Sequence, residues 1–307
     1  MTYPRAHLID AENGGFYHLH ARCVRRTWLC GHDELTGRSF EHRKEWLEQR
    51  ILKLASLFCV SLVGYAVMSN HYHVVVEARP QDTAHLSDEE VAERWDQISF
   101  SNCVRRRALN RAHMFADAKR MATCRRRLGD LSQFMAYINE PLARMMNRED
   151  GCTGRAWEGR FKSSALLDDA AVLRCLVYVD LNPVRAGLTE RAAKAPCTSI
   201  RRRCAKPDAA PLTPLSALGL TLRDYVALAE WTASHYRRAQ FTEFDPGPPP
   251  EAIRQTHTVW CSEVDSHRHR YRAYGTQERL RNYVSAVGQS WIKTHPDAPA
   301  RHKHSVH

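Results

Sequence analysis

Two pairs of residues in this chain have the types and spacing needed for chemistry. His71 and His73 are two apart in a valine-rich stretch, so on a β-strand both imidazoles point to one face. Tyr178 and Asn182 are four apart, so on a helix they lie one turn from each other. Imidazole nitrogens and a carboxamide oxygen are ligands for divalent cations, and a phenol is a nucleophile. Together the four side chains could hold a cation and attack an ester.

Each pair also has an ordinary explanation. The chain contains 17 histidines, so a His-x-His pair on a half-exposed strand arises easily by chance. Tyr178 could be a core aromatic residue, and Asn182 could cap a helix that ends before Pro183. The chemical interpretation therefore requires that a strand and a helix bring the two pairs together.

Hydrophobic periodicity predicts the elements that would position these residues. Strands are predicted at 16–26, 61–68, 71–77 and within 155–167, and helices at 33–58, 88–99, 131–147, 172–181, 222–239 and 279–292. Asp168 and Asp169 are predicted N-caps of the helix that carries Tyr178. The order of elements predicts an α+β fold, a ferredoxin- or RRM-like antiparallel sheet with helices on one face.

The chain is predicted to divide into two regions. Residues 1–190 would form the sheet domain, with a basic insertion at about 101–130. Residues 191–307 would form an accessory, mainly helical C-terminal extension with proline-rich linkers at 206–214 and 244–250.

The charge balance predicts a polyanionic partner. The chain has 45 Lys and Arg against 34 Asp and Glu, a net charge of +11 and a sequence pI near 9.3. Cations that neutralise phosphates release condensed counterions, which favours nucleic-acid binding. Two arginine clusters, Arg105–Arg107 and Arg125–Arg127, are candidates for gripping phosphates. Alternatively, the two clusters could belong to a disordered basic insertion.

Other classes of protein are disfavoured by the sequence. The apolar stretch at 54–68 is too short to cross a bilayer, so no membrane association is expected. The ten cysteines form no Cys-x-x-Cys pair, and a zinc protein would need more converging cysteines and histidines than the sequence shows. Reduced thiols in a cytoplasm are the expected state.

Four segments resemble the motifs of a known family. Val67–Glu77 (VMSNHYHVVVE) is similar to a hairpin, Gly154–Ser163 (GRAWEGRFKS) to a strand, Tyr178–Gly187 (YVDLNPVRAG) to a helix, and Phe16–Arg22 (FYHLHAR) to an opening strand. All four occur in the order found in the HUH single-strand DNA transposases. The chain most resembles the branch of REP-associated tyrosine transposases, related to the insertion-sequence 200-like enzymes.

This resemblance implies a role for each matching residue. His71, His73 and Asn182 would bind Mg²⁺ or Mn²⁺, and Tyr178 would attack a phosphodiester to form a 5′-phosphotyrosine. Arg160, Lys162 and Arg185 would contact the DNA backbone beside the arginine clusters. The implied activity is nicking and rejoining of single-stranded DNA at hairpin-forming repeats, without a nucleotide cofactor, in a bacterial cytoplasm near the nucleoid.

Alternatives stay open at this point. The chain could be a binder of structured DNA or RNA that has lost cutting activity, or an HUH replication initiator or relaxase. A homodimer, with the tyrosine acting in its own subunit or across the dimer, is a further expectation. The role of the C-terminal region and the base that deprotonates Tyr178 are not indicated by the sequence.

Overall fold

The computed structural model describes most of the chain. The described residues are 4, 7–24, 30–31, 37–98, 104–206, 210–237, 253, 255–269, 271–290 and 292–294. Parts of several predicted segments lie outside these residues, namely 25–26, 33–36, 99, 101–103, 207–209, 238–239, 244–250 and 291.

Five strands form one sheet at the centre of the molecule. They are β1 (Gly15–Arg22), β2 (Val60–Val67), β3 (His71–Ala78), β4 (Lys162–Leu166) and β5 (Ala273–Tyr274). The strand order is β2-β3-β1-β4-β5, and every neighbouring pair is antiparallel except β4 and β5. The α+β class is confirmed. The expected all-antiparallel sheet is corrected by β5, a short parallel strand that comes from the C-terminal region.

The first face of the sheet is covered by α1 (Glu41–Leu57) and α5 (Leu131–Glu149). Tyr17 and Leu19 of β1 and Tyr72 of β3 point into this layer and are almost completely buried. The Tyr72 hydroxyl donates a hydrogen bond to Asn139 Oδ1 on α5 at 2.7 Å. Because side chains alternate along a strand, the neighbouring histidines of β1 and β3 point to the opposite face.

That second face is covered by α6 (Asp169–Asp180), so the expectation of helices on one face only is wrong. Most residues of α6 after its first turn are apolar, and a helix that is apolar on several sides must be buried on several sides. Asp168 caps it by accepting a hydrogen bond from the Ala171 amide at 2.8 Å, as predicted. A single helical turn, α7 (Asn182–Arg185), follows directly.

The C-terminal region packs on α6 through α8 (Ser199–Ala205), α9 (Leu222–Arg237) and α10 (His257–Ser266), and α11 (Gln277–Ala286) follows. The buried Asp180 carboxylate joins these elements. It accepts hydrogen bonds from Ser199 Oγ at 2.7 Å, the Ile200 amide at 3.0 Å and the Tyr225 hydroxyl at 2.5 Å. This region therefore holds the helix that carries Tyr178.

The basic insertion is helical in its described part. After α2 (Asp88–Ile98), the arginine clusters lie on α3 (Val104–Ala116) and α4 (Ala118–Arg127), which pack against α2 and each other. Asp117 caps α4 by accepting from the amides of Lys119 and Arg120. The alternative of a disordered insertion is wrong for residues 104–127.

The lengths of the helices and the state of the cysteines bear on the membrane and disulfide expectations. Among the described helices, none combines the length and apolarity that a bilayer crossing requires. The nine cysteines in the described part of the chain are all free thiols.

Candidate active site

A cavity of about 290 Å³ lies between the histidine-bearing face of the sheet and the α6–α7 junction. Both predicted pairs, His71 with His73 and Tyr178 with Asn182, line this cavity. The remaining lining residues come from four separate parts of the chain: His18, His20, Arg22, Met68, Arg185, Ala186, His267 and Arg268. The fold thus brings the two pairs together within one subunit.

The register of β1 and β3 builds the floor of the cavity. His20 lies opposite His73, and Arg22 lies opposite His71. Residues directly opposite in an antiparallel pair share a face, so the two strands present one patch of imidazoles. The ring centroids of His71 and His73 are 4.9 Å apart, and those of His20 and His73 are 5.5 Å apart.

His73 is held by a second histidine. His73 Nδ1 lies 2.9 Å from His18 Nε2, and both side chains are buried. Burial lowers the pKa of His18 to about 4 and lowers the pKa of His73 as well, so both rings are neutral at pH 7. His73 Nε2 is buried and has no hydrogen-bond partner among the described residues. A buried nitrogen without a partner beside other imidazoles fits a metal-binding position.

His71 is oriented by its neighbour Asn70, whose Oδ1 lies 2.6 Å from His71 Nδ1. A carbonyl oxygen only accepts, so the Nδ1–H of His71 donates and its Nε2 carries the lone pair. Asn182 Nδ2 donates to the Tyr178 carbonyl at 2.9 Å. The Asn182 carboxamide oxygen, the atom that could serve as a third ligand, takes no part in that hydrogen bond.

Tyr178 lies on α6 with a 7% exposed side chain at the edge of the cavity. Its ring centroid is 5.7 Å from that of His73, 5.9 Å from that of His18 and 5.8 Å from that of His267. The Arg185 guanidinium lies 4.7 Å from the centre of the Tyr178 ring. A cation over the ring attracts its π-electrons and fixes its orientation.

Arg185 was predicted to contact DNA, and it borders the cavity. Its side chain is only 14% exposed, and its Nε lies 3.5 Å from Asp265 Oδ1 on α10. The same guanidinium lies 5.4 Å from the Tyr236 ring. Arg185 is therefore part of the packing between α7 and the C-terminal helices as well as a cation at the cavity.

The other two predicted cations near the site are exposed. Lys162 begins β4 opposite His20, so it stands on the histidine side of the sheet. Arg160 was expected on the fourth strand, but it precedes the first residue of β4 by two positions. Its exposed side chain lies in the loop that leads to the strand.

The arginine clusters lie away from the cavity, on helices associated with the opposite face. Arg105, Arg106 and Arg107 are on α3, and Arg126 and Arg127 end α4, where all but the half-buried Arg107 are exposed. Arg125 differs from these, because its guanidinium donates to the Thr83 and Leu86 carbonyls and pairs with the Asp88 carboxylate. Those contacts attach α4 to the start of α2, so we do not retain Arg125 as a DNA contact.

Several cavity residues were missed by the sequence analysis. His18 and His20 alternate with apolar residues on β1, and this alternation was a signal that they share a face. His267 and Arg268 follow α10, more than 80 residues beyond Tyr178, and no local pattern connects them to the site.

A group of one cysteine and two histidines was also missed. Buried donor atoms of His18, Cys175 and His267 lie within 4.8 Å of one another. The expectation that too few cysteines and histidines converge for a zinc site is therefore wrong. His18 Nε2, however, already contacts His73.

Comparisons with known proteins add one structural relative. No family model matches the chain, and no curated protein matches it. A solved structure described as a REP-associated tyrosine transposase bound to a REP hairpin matches with a TM-score of 0.40 and 15% sequence identity. The match covers 71% of this chain and 96% of that chain.

Proposed function

We propose that this protein cuts and rejoins single-stranded DNA at hairpin-forming repeats, with Tyr178 as the nucleophile. One observation carries the proposal. A single cavity holds the Tyr178 ring 5.7 Å from that of His73, whose buried Nε2 has no hydrogen-bond partner among the described residues. The proposed nucleophile thus lies beside a proposed cation ligand in the same subunit.

The cation ligands in this proposal are His71, His73 and Asn182. His71 Nδ1 donates to Asn70 and, in this proposal, His73 Nδ1 donates to His18, so that both Nε2 atoms carry lone pairs. Such contacts to the second ring nitrogen are common for metal-binding histidines, because they fix the tautomer. A bound Mg²⁺ or Mn²⁺ would polarise the scissile phosphate and offset the charge that develops on its oxygens.

The reaction is a transesterification at phosphorus. The Tyr178 oxygen forms a bond to phosphorus as its proton leaves, and the bond between phosphorus and the 3′-oxygen breaks. The products are a 5′-phosphotyrosine and a strand with a free 3′-hydroxyl once that oxygen takes up a proton. The tyrosyl ester conserves the energy of the phosphodiester, so attack by another 3′-hydroxyl rejoins DNA without a nucleotide cofactor.

Cations around the cavity would bind the strand. Arg22 and Arg268 line it, Arg185 lies against Tyr178, and Lys162 stands on the histidine side of the sheet, with the exposed Arg160 two residues before it. Arginine and lysine side chains neutralise phosphates and set the position of the backbone without reading sequence. The choice of hairpin-forming DNA rests on the resemblance of the sequence motifs, as do a cytoplasmic, nucleoid-associated location and a homodimer.

A zinc-binding protein without cutting activity is the second candidate, because His18, Cys175 and His267 converge. We favour the tyrosine reaction for two reasons. His18 Nε2 already contacts His73 Nδ1 at 2.9 Å, and only the tyrosine reaction uses the position of Tyr178. A binder of structured DNA or RNA would retain the same cations but form no covalent product.

The test uses single-stranded DNA labelled on the 3′ side of a hairpin, Mn²⁺ and the full-length protein. A covalent protein–DNA band is expected with the natural protein and none with Tyr178→Phe. Tyr236→Phe is the matched control, because its ring lies near the same Arg185 guanidinium, and it should keep the band. Loss of the band in Tyr236→Phe alone would reassign the nucleophile. Absence of any covalent product on hairpin substrates would favour the binding-only alternative.

A further inference from the structure

A cavity larger than the candidate active site lies on the other side of the sheet. It has a volume of about 650 Å³ and is bounded by α1, α2, α3, α4 and α5. We call it the α4–α5 groove and define it by Trp46, Trp95, Tyr137, Arg120, Arg127 and Arg148, which are among its lining residues. Cavities of roughly 300–1,000 Å³ with apolar walls and a few polar groups are typical of ligand sites.

Aromatic rings form one part of this groove. The Trp95 and Tyr137 ring centroids are 5.5 Å apart, and the Trp95 indole donates to the Cys124 carbonyl at 3.0 Å. These contacts fix the two rings, and Trp46 on α1 adds a third, half-buried ring. All three side chains keep a partly exposed surface. Rigid, partly exposed rings are suited to stacking on the flat face of a base.

Four arginines also line the groove, and their charges are not all matched. The two acidic residues of the groove already have partners, since Asp96 pairs with Arg111 at 3.4 Å and Glu140 pairs with Arg144. Arg120, Arg127 and Arg148 have no ion-pair partner within the part of the chain that the structure describes, and all three are exposed. The groove therefore offers unneutralised positive charge beside aromatic rings.

We propose that the α4–α5 groove binds an unpaired nucleotide of a single DNA strand, with its base on the aromatic rings and its phosphates on Arg120 and Arg127. The combination of a π-surface with a guanidinium lining matches a base joined to a phosphate. An acidic peptide would satisfy the arginines alone, without using the rings. The proposal goes beyond the cutting reaction, because this groove lies on the α1 and α5 side of the sheet and does not include Tyr178.

The groove would keep hold of the strand while its reactive segment lies in the other cavity. Arg105 and Arg106 project from α3, which also borders the groove, and would extend the same positive surface. The insertion that carries α3 and α4 then serves as a second attachment point for DNA.

The test measures equilibrium binding of a dye-labelled 12-nucleotide thymidine strand to protein carrying Tyr178→Phe, with a chelator present. Arg120→Ala with Arg127→Ala should weaken binding about tenfold. It should also reduce the slope of log affinity against log salt by about 1.4, two contacts at about 0.7 each. Arg201→Ala with Arg223→Ala removes the same charge from exposed positions on α8 and α9 and should change affinity by less than about twofold.

A second comparison separates base binding from charge. Trp46→Ala should weaken binding of the thymidine strand about tenfold but weaken binding of an abasic strand of equal length less than about twofold. Thermal unfolding shows whether Trp46→Ala folds. If it does not fold, the comparison of Arg120→Ala with Arg127→Ala against the control pair decides the test.

Equal losses for the two arginine pairs would overturn the proposal, as would equal losses for the thymidine and abasic strands with folded Trp46→Ala. Displacement of the strand by a polyglutamate peptide of equal charge, with the same affinity, would point to an acidic protein partner instead. Because every protein here carries Tyr178→Phe, these outcomes are independent of covalent cutting.

Discussion

His18 Nε2 and His73 Nδ1 lie 2.9 Å apart beneath the candidate active site, joining adjacent strands β1 and β3. Only one proton fits between the two nitrogens when both rings are neutral. If His73 donates it, the His73 Nε2 lone pair faces the cavity; if His18 donates it, a buried N–H of His73 lacks an acceptor among the described residues. His18 thus decides whether His73 can bind a cation.

The first prediction concerns this positioning role. His18→Phe preserves a ring of similar size but removes the nitrogen that faces His73. We expect the affinity for Mn²⁺ to fall by about 10- to 100-fold, as for other partners of metal-binding histidines. Titration calorimetry with Mn²⁺ measures the change. His113→Phe, on the exposed surface of α3, should leave the affinity unaltered, and unaltered affinity in His18→Phe would contradict the assignment.

The second prediction concerns stability in acid. The pKa of His18 is lowered from 6.5 to about 4, and that of His73 is also lowered, mainly by burial. Between pH 4 and pH 6.5, the unfolded chain binds a proton at His18 that the folded chain excludes. The free energy of unfolding therefore rises with pH across this window. His18 should account for a loss of about 2–3 kcal/mol between pH 7.5 and pH 4.5.

Urea unfolding at both pH values, with a chelator present, measures this loss. The loss of stability should be smaller in His18→Phe, because phenylalanine takes up no proton. Some loss should remain, since the ionisations of surface carboxylates contribute to both proteins. The same pH dependence in the two proteins would show that His18 takes up its proton without unfolding the site.

A third prediction tests the guanidinium that lies against the nucleophile. Arg185→Ala removes the cation 4.7 Å from the Tyr178 ring and leaves the Asp265 carboxylate without this partner. The rate of covalent adduct formation should fall by about 10- to 100-fold. The rate for Arg185→Lys should lie between those of the natural protein and Arg185→Ala, because an ammonium keeps the charge but lacks the planar guanidinium that stacks on a ring. Arg191→Ala, at a 58% exposed arginine, is the control, and an equal loss there would refute a local effect.

A fourth prediction concerns the contact between the sheet and α6. A Cβ added at Gly64 would lie 2.2 Å from Leu176 Cδ1 and 2.9 Å from Ser199 Oγ. Leu176 is fully buried two residues before Tyr178, so it cannot move without disturbing the core. Gly64→Ala should lower the free energy of unfolding by about 1–3 kcal/mol.

Gly159→Ala is the matched control, because a Cβ there meets nothing within 4 Å. Its free energy of unfolding should change by less than about 0.5 kcal/mol. Chemical denaturation measures the free energy of unfolding of the two variants. Equal values would show that β2 and α6 accommodate the added Cβ without loss of stability.

Local periodicity was sufficient for much of the fold. The predicted strands at 61–68 and 71–77 correspond to β2 (Val60–Val67) and β3 (His71–Ala78), and the predicted Asp168 cap begins α6. A run of β-branched and aromatic residues bounded by a turn is a property of neighbours in the chain, so it can be seen without knowing the tertiary contacts. The pairing of His71 with His73 on one face follows from the same rule.

The partners of each face were decided by the tertiary structure. Sequence periodicity did not show that α6 covers the histidine face, because its apolar residues are not confined to one side. Nor did it show that Arg125 turns inward to the Leu86 carbonyl while Arg126 and Arg127 stay exposed. A run of charged residues is the same in sequence whether its members are buried or solvated.

By itself, the sequence determined which residues share a strand face or a helix turn, and so it identified His71, His73, Tyr178 and Asn182 as candidates. Only the tertiary structure brought His18 under His73 and supplied His267 and Arg268 from beyond α10 to the same cavity. The physical reason is that a face is encoded by spacing within one element. What that face meets depends on strand register and on packing between elements far apart in the chain.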